Sequence, residues 1–154
     1  MNTFKIVPLS NEWAKKIRAA GHDEFGHPVV EEAVTSGGPC RITLRQFKPG
    51  VGTRLVISHS PFEIDNAYNQ PGPIFISPDD VEEYQDVHRF PPEIKRITLI
   101  GYNADQWMIF TRLVGEEENI DEVISLVLKE NPKVAYLHAR STMASCYLCK
   151  IERA

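Results

Sequence analysis

Five side chains stand where strand ends and loops can bring them onto one ligand: Arg41, His59, Tyr68, His138 and Arg140. His59 and His138 each close an apolar run, Leu55-Val56-Ile57-Ser58-His59 and Val134-Ala135-Tyr136-Leu137-His138. An imidazole at a strand end titrates near neutrality and can serve as acid, base or ligand. The plainer role is a half-exposed histidine with one backbone hydrogen bond. Arg41 follows the turn Gly37-Gly38-Pro39-Cys40, and Arg140 lies just past His138. A guanidinium presents a planar fork of donors matched to carboxylate or phosphate. Its alternative is a surface ion pair with one of the 21 acidic residues, which adds little to stability. Tyr68, in the loop Asp65-Asn66-Ala67-Tyr68-Asn69-Gln70, offers either a hydroxyl to a ligand or a ring to the core beneath. Convergence of several of these groups is what would separate a site from a set of surface residues.

Cys146-x-x-Cys149 has the spacing of a metal or redox pair. Zinc needs two further ligands, and the sequence holds no second CxxC and no HxxxH pair. A thioredoxin-like pair sits at a helix N-terminus within a βαβ unit, whereas Cys-Tyr-Leu-Cys-Lys-Ile reads as a strand. Residues three apart on a strand face opposite ways, so packing as a small apolar residue is the favoured role. No metal and no cofactor are expected. Gly-x-Ser-x-Gly, a phosphate-binding P-loop and a Rossmann glycine triplet are all missing from the sequence.

The elements that must position the five candidates follow from local patterning. Phe4 to Val7 reads as a strand. Ser10 caps a helix over residues 11–20, with Gly21 just past its end. Residues 22–35 suit a strand or a helical turn equally. Cys40 to Phe47 alternates and predicts a strand, paired across Pro49-Gly50-Val51-Gly52 with a second strand over 53–60. On that second strand Leu55, Ile57 and His59 share a face. Residues 61–70 form a loop and 73–77 a third strand. Ser77-Pro78-Asp79-Asp80 predicts a short helix ending at about 84–87. Residues 95–102 and 107–114 make a hairpin rich in β-branched and aromatic residues. Asn119 caps a second helix, whose Ile120, Val123, Ile124, Val127 and Leu128 keep helical spacing until Asn131-Pro132. Strands over 134–139 and 146–151 close the chain. Short connections predict an α+β fold: a mainly antiparallel β-sheet with two principal helices packed on it, in a single globular domain over residues 1–154.

Composition narrows the function class. Hydrophobic residues make up 42% and charged residues 25% of the 154, and the net charge is -4. That balance carries no basic footprint for nucleic acid, and no apolar run nears the roughly 20 residues of a membrane span. The N-terminus has neither the basic nor the apolar region of an export signal. An odd count of cysteines, 3, argues for a reducing compartment. A cytoplasmic protein with no nucleic-acid or membrane partner is expected, with its oligomeric state open.

Four stretches together carry a resemblance: Gly38-Pro39-Cys40-Arg41, Gly72-Pro73-Ile74-Phe75, Val134-Ala135-Tyr136-Leu137-His138-Ala139-Arg140 and the closing Cys146-Tyr147-Leu148-Cys149. From about Gly38 to the C-terminus the chain resembles the bacterial domain-of-unknown-function family 1203, a family of uncharacterised proteins. That family tends to carry Ser-Pro-Tyr before its Gly-Pro-Ile-Phe, where this chain has Asn66-Ala67-Tyr68. The resemblance implies no established activity. The residues themselves point to a polar pocket that binds a small, anionic molecule, built from Arg41, His59, Tyr68, His138 and Arg140. If it is an enzyme, a histidine is the acid–base and an arginine the anchor. The rival reading is a protein-binding or assembly module using a sheet face or edge, with Trp107, Ile109 and Phe110 as its apolar patch.

Overall fold

The computed structural model describes residues 2–154; Met1 lies outside the described residues. Eight strands and two helices follow in the order β1 (Phe4–Val7), α1 (Asn11–Ala20), β2 (Val30–Ala33), β3 (Thr53–His59), β4 (Gly72–Ile76), β5 (Ile97–Tyr102), β6 (Met108–Val114), α2 (Ile120–Glu130), β7 (Tyr136–Ser141) and β8 (Tyr147–Arg153). They form a five-stranded sheet, β1-β8-β7-β5-β6, and a three-stranded sheet, β2-β3-β4. Every pairing is antiparallel. The fold is α+β.

Both helices begin where their sequences place a cap. The Ser10 hydroxyl accepts from the Trp13 amide at 3.1 Å, and Gly21 closes α1 in the left-handed region at φ 74°. The Asn119 side chain accepts from the Glu122 amide at 3.1 Å. α2 buries Ile124, Val127 and Leu128 against one face of the five-stranded sheet, where Leu99, Leu137, Ala139 and Ile151 complete a core. Since alternate residues face opposite ways, the other face of the same strands carries Tyr102, Tyr136, His138, Arg140 and Lys150, by the register Tyr102↔Tyr136, Ile100↔His138 and His138↔Lys150. A second core joins Ala14 and Ile17 of α1 to Leu55, Ile57, Ile74 and Ile76 of the small sheet. Tyr147, from β8, belongs to that second core, so the polar face of the large sheet is turned toward the small one.

Two expected elements do not form. Cys40 to Phe47 is not a strand but a compact knot: the Leu44 amide donates to the Cys40 carbonyl at 2.8 Å, and the Phe47 amide to Gly38 at 2.9 Å. Cys40, Ile42 and Leu44 are buried as the alternation demands, yet Cys40 and Ile42 enter the small-sheet core and Leu44 the α2 core. A period of two arose from serving two cores. Consequently β3 pairs with β2 and β4, and the hairpin expected with residues 40–47 is absent. The segment after Ser77 is irregular rather than helical. Its backbone is taken by tertiary partners, since the Val81 amide donates to the Asn11 side chain at 3.1 Å and the Tyr84 amide to the Ile42 carbonyl at 2.9 Å.

Candidate functional site

His138 lies on β7 between Tyr136 and Arg140, with Tyr102 of β5 and Tyr147 of β8 to either side. Ring centroids of Phe62, Tyr102 and Tyr147 are each 5.0 Å from the imidazole, and that of Tyr136 is 5.3 Å away. The residue is 0% exposed, and neither ring nitrogen has a hydrogen-bond partner. Burial, helped by the nearby cations Arg140 and Lys150, pulls its pKa down to about 3. At neutral pH it is an uncharged imidazole with one donor and one acceptor unused.

Two guanidinium groups flank this box. Arg41, 3% exposed, leaves the knot and donates from Nε to the Tyr147 carbonyl at 2.7 Å and from Nη1 to the Pro39 carbonyl. Arg140, 4% exposed, donates from Nη1 to Ser145 and from Nη2 to Gln70, both carbonyls at 2.9 Å. The Arg140 side chain and the buried Tyr102 hydroxyl are placed to hydrogen-bond with each other, and neither the hydroxyl nor Arg140 Nε has another partner. Burial lowers the pKa of Arg41 to about 10 and that of Arg140 in the same direction. Among the described residues no carboxylate lies within ion-pair distance of either one. Arg54 shows the contrast: equally buried, it pairs with Glu32 at 3.0 Å and lies 3.7 Å above the Phe75 ring.

His59, at the end of β3, is buried beside the same layer. Its ring meets Trp13 edge-on at 4.9 Å and lies 6.0 Å from Tyr147. Nδ1 is hydrogen-bonded to the Glu24 carboxylate, and burial lowers the imidazole pKa against the opposing pull of that carboxylate. Four of the five residues singled out in the sequence, Arg41, His59, His138 and Arg140, thus gather around Tyr147 between the two sheets. They do so in the interior and not at an open rim. Tyr68 stays outside: it is 40% exposed, and its amide donates to the Asn66 side chain at 2.9 Å. The loop aromatic that reaches inward is Phe62, which the sequence reading passed over.

Glu24, Tyr102, Tyr136 and Tyr147 were missed as well. For Tyr136 the signal was present, since positions 136, 138 and 140 of one strand must share a face. Glu24 gave none, because its tie to His59 spans 35 positions.

The loop between β3 and β4 lies over the box. Buried Gln106 holds it: Nε2 donates to the Ile64 carbonyl at 2.6 Å and to the Asn69 side chain at 2.8 Å, while Oε1 accepts from the Glu63 and Ile64 amides. Outside the loop is a cleft of about 440 Å³, lined by Glu24, Ser60, Phe62, Glu63, Asp65 and Asn69 among others. Phe62 is therefore the wall between cleft and imidazole. The cysteine pair is not part of this layer as a unit. Cys149 is buried in the α2 core, where burial pushes its thiol up to about 12, and Cys146 lies before β8 and is half-buried. Among the described residues no group of three or more His, Cys, Asp or Glu side chains is placed to hold a metal ion.

The family model described as "Protein of unknown function (DUF1203)" matches residues 37–153. The chain belongs to this family. Arg41, His59, Tyr68, His138, Arg140 and Tyr147 all fall within the matched span, whereas α1, β2 and Glu24 precede it. No curated protein and no solved structure matches the chain.

Proposed function

We propose that the protein binds a small anion between its two sheets, held by Arg41 and Arg140 with His138 and Tyr102 as neutral hydrogen-bond partners. One observation carries this reading: two buried guanidinium groups bond to carbonyls and, for Arg140, to the Tyr102 hydroxyl, and have no carboxylate counter-ion. An ion taken out of water costs several kcal/mol unless a charge or a full set of hydrogen bonds compensates it. Arg54 has that compensation from Glu32 within this same chain. An anion at Arg41 and Arg140 would supply it there, and could also accept from the Tyr102 hydroxyl and from the one protonated nitrogen of His138.

A ligand at one hundred times its dissociation constant stabilises the folded state by about 2.7 kcal/mol, which raises Tm by several degrees in a chain of this size. Melting curves of the wild type, Arg41→Met and Arg140→Met with acetate, benzoate, phosphate and citrate test the proposal. The expected result is stabilisation of the wild type by at least one of these anions, reduced or lost in both variants. Stabilisation that persists in both, or none in the wild type, overturns it. We place the protein in the cytoplasm on its three free cysteines, and among the described residues no helix is long and apolar enough to cross a membrane.

The assembly reading rests on β6, an edge strand whose Ile109 and Leu113, with Trp107 before it, are exposed. Phe110 instead packs on the α2 core. An unpaired edge with apolar side chains is a template for strand addition. A monomer by sedimentation that captures no partner removes this second reading.

A further inference from the structure

Resting on the anion-binding reading, we infer that the ligand is a planar aryl carboxylate whose ring takes the place now held by Phe62. The Phe62 ring stands edge-on to Tyr102 at 5.4 Å and 5.0 Å from His138. Beside that ring are both nitrogens of His138, which have no partner, and the Tyr102 hydroxyl and Arg140 side chain, which have only each other. A hydrocarbon ring satisfies none of them. An aryl carboxylate of the same footprint keeps the aromatic contacts and adds acceptors for the guanidinium, the hydroxyl and the imidazole N–H.

The loop is built to give way. Its polar ties centre on residues 105 and 106: the Gln106 side chain bonds the backbone at 63 and 64 and the side chain of Asn69, and Asn66 Nδ2 donates to the Asp105 and Gln106 carbonyls. Water can replace each of these bonds when the loop lifts. Ile64 and Tyr68 are exposed, so Phe62 is the one large apolar side chain of the segment that packs inward to keep it shut. The second anchor, Arg140 Nη2 to the Gln70 carbonyl, comes from the side chain that would meet the carboxylate. The cleft of about 440 Å³ outside Phe62 is large enough to receive a monocyclic ligand.

Calorimetric titration with benzoate, cyclohexanecarboxylate and acetate tests the inference on the wild type, Phe62→Ala and Gln106→Ala. Benzoate is expected to bind the wild type, cyclohexanecarboxylate roughly tenfold more weakly for want of a π face, and acetate more weakly still. Phe62→Ala should tighten benzoate by about tenfold or more while leaving acetate unchanged, since the plug no longer competes. If Phe62→Ala does not fold, Gln106→Ala takes its part and should tighten benzoate by lowering the cost of lifting the loop. Acetate or cyclohexanecarboxylate binding as well as benzoate overturns the aryl inference and leaves the anion site standing. So does benzoate binding that neither substitution alters. Failure of every anion to bind overturns both.

Discussion

His138 is an imidazole held neutral in a box of aromatic rings. Its folded pKa of about 3 lies below the 6.5 of a free histidine, so between those values the unfolded chain binds the extra proton. Stability then rises with pH across that interval: it is fully present above about 6.5 and is lost as pH falls toward 3. The sum at stake is on the order of a few kcal/mol. Denaturant unfolding from pH 7.5 to 4 should therefore show a steep acid loss that His138→Phe removes in large part. The same substitution should abolish any His138 signal in a histidine NMR titration, while the wild-type signal stays in its neutral form down to pH 5. A wild-type His138 that titrates near 6.5 would show that the box is open to water. Arg41 and Arg140 obey the same physics with the opposite outcome, since both remain cations within reach of ordinary pH. That is why they, and not the histidine, need a partner of opposite charge.

At the level of elements, the turn before Arg41 is fixed by one glycine. Gly38 has φ 127°, and a Cβ there would stand 2.9 Å from the Phe75 ring. Gly38→Ala should cost about 1–3 kcal/mol from the backbone conformation alone, more with the clash, and should weaken anion binding by displacing Arg41. A Cm in urea within error of wild type would show that the turn relaxes freely. Helices α1 and α2 were legible because their caps and apolar spacing are local, and β5 and β6 because each is a short run dense in β-branched and aromatic residues. The knot at 38–47 was not legible, since Ile42 and Leu44 alternate for two different cores and no local pattern separates that from a strand. Likewise, Ser77-Pro78-Asp79-Asp80 carries sound helix-start chemistry, yet Asn11 and Ile42 claim the backbone that follows. Of the five candidates, Arg41, His59, His138 and Arg140 come together, although only His59 lies at a strand end: Arg41 is in the 38–47 turn and His138 and Arg140 lie within β7. Glu24 and Phe62 were hidden because their roles come from contacts across the chain.

Around the inter-sheet layer the charges are sorted by depth. Cations Arg41, Arg140 and Lys150 lie in or beside the inter-sheet layer, while Glu24, Glu63 and Asp65 line the cleft that leads to it. On the proposed anion-binding reading, an entering anion would cross a negative mouth before it reached the positive interior. Screening of exposed charges strengthens as the Debye length falls from about 30 Å at 0.01 M salt to about 8 Å at 0.15 M. Association of benzoate should accordingly become faster with added salt, roughly several-fold over that range, the reverse of ordinary electrostatic steering. Stopped-flow rates that fall with salt would place the entrance elsewhere.

The knot at 38–47 lends neighbouring side chains to two separate oil-filled compartments, Ile42 to one and Leu44 to the other. Neither compartment can drain alone, because withdrawing the cork from one drags at the cork of the other. A substitution that empties one compartment at Ile42 should therefore also loosen the packing around Leu44 in the other.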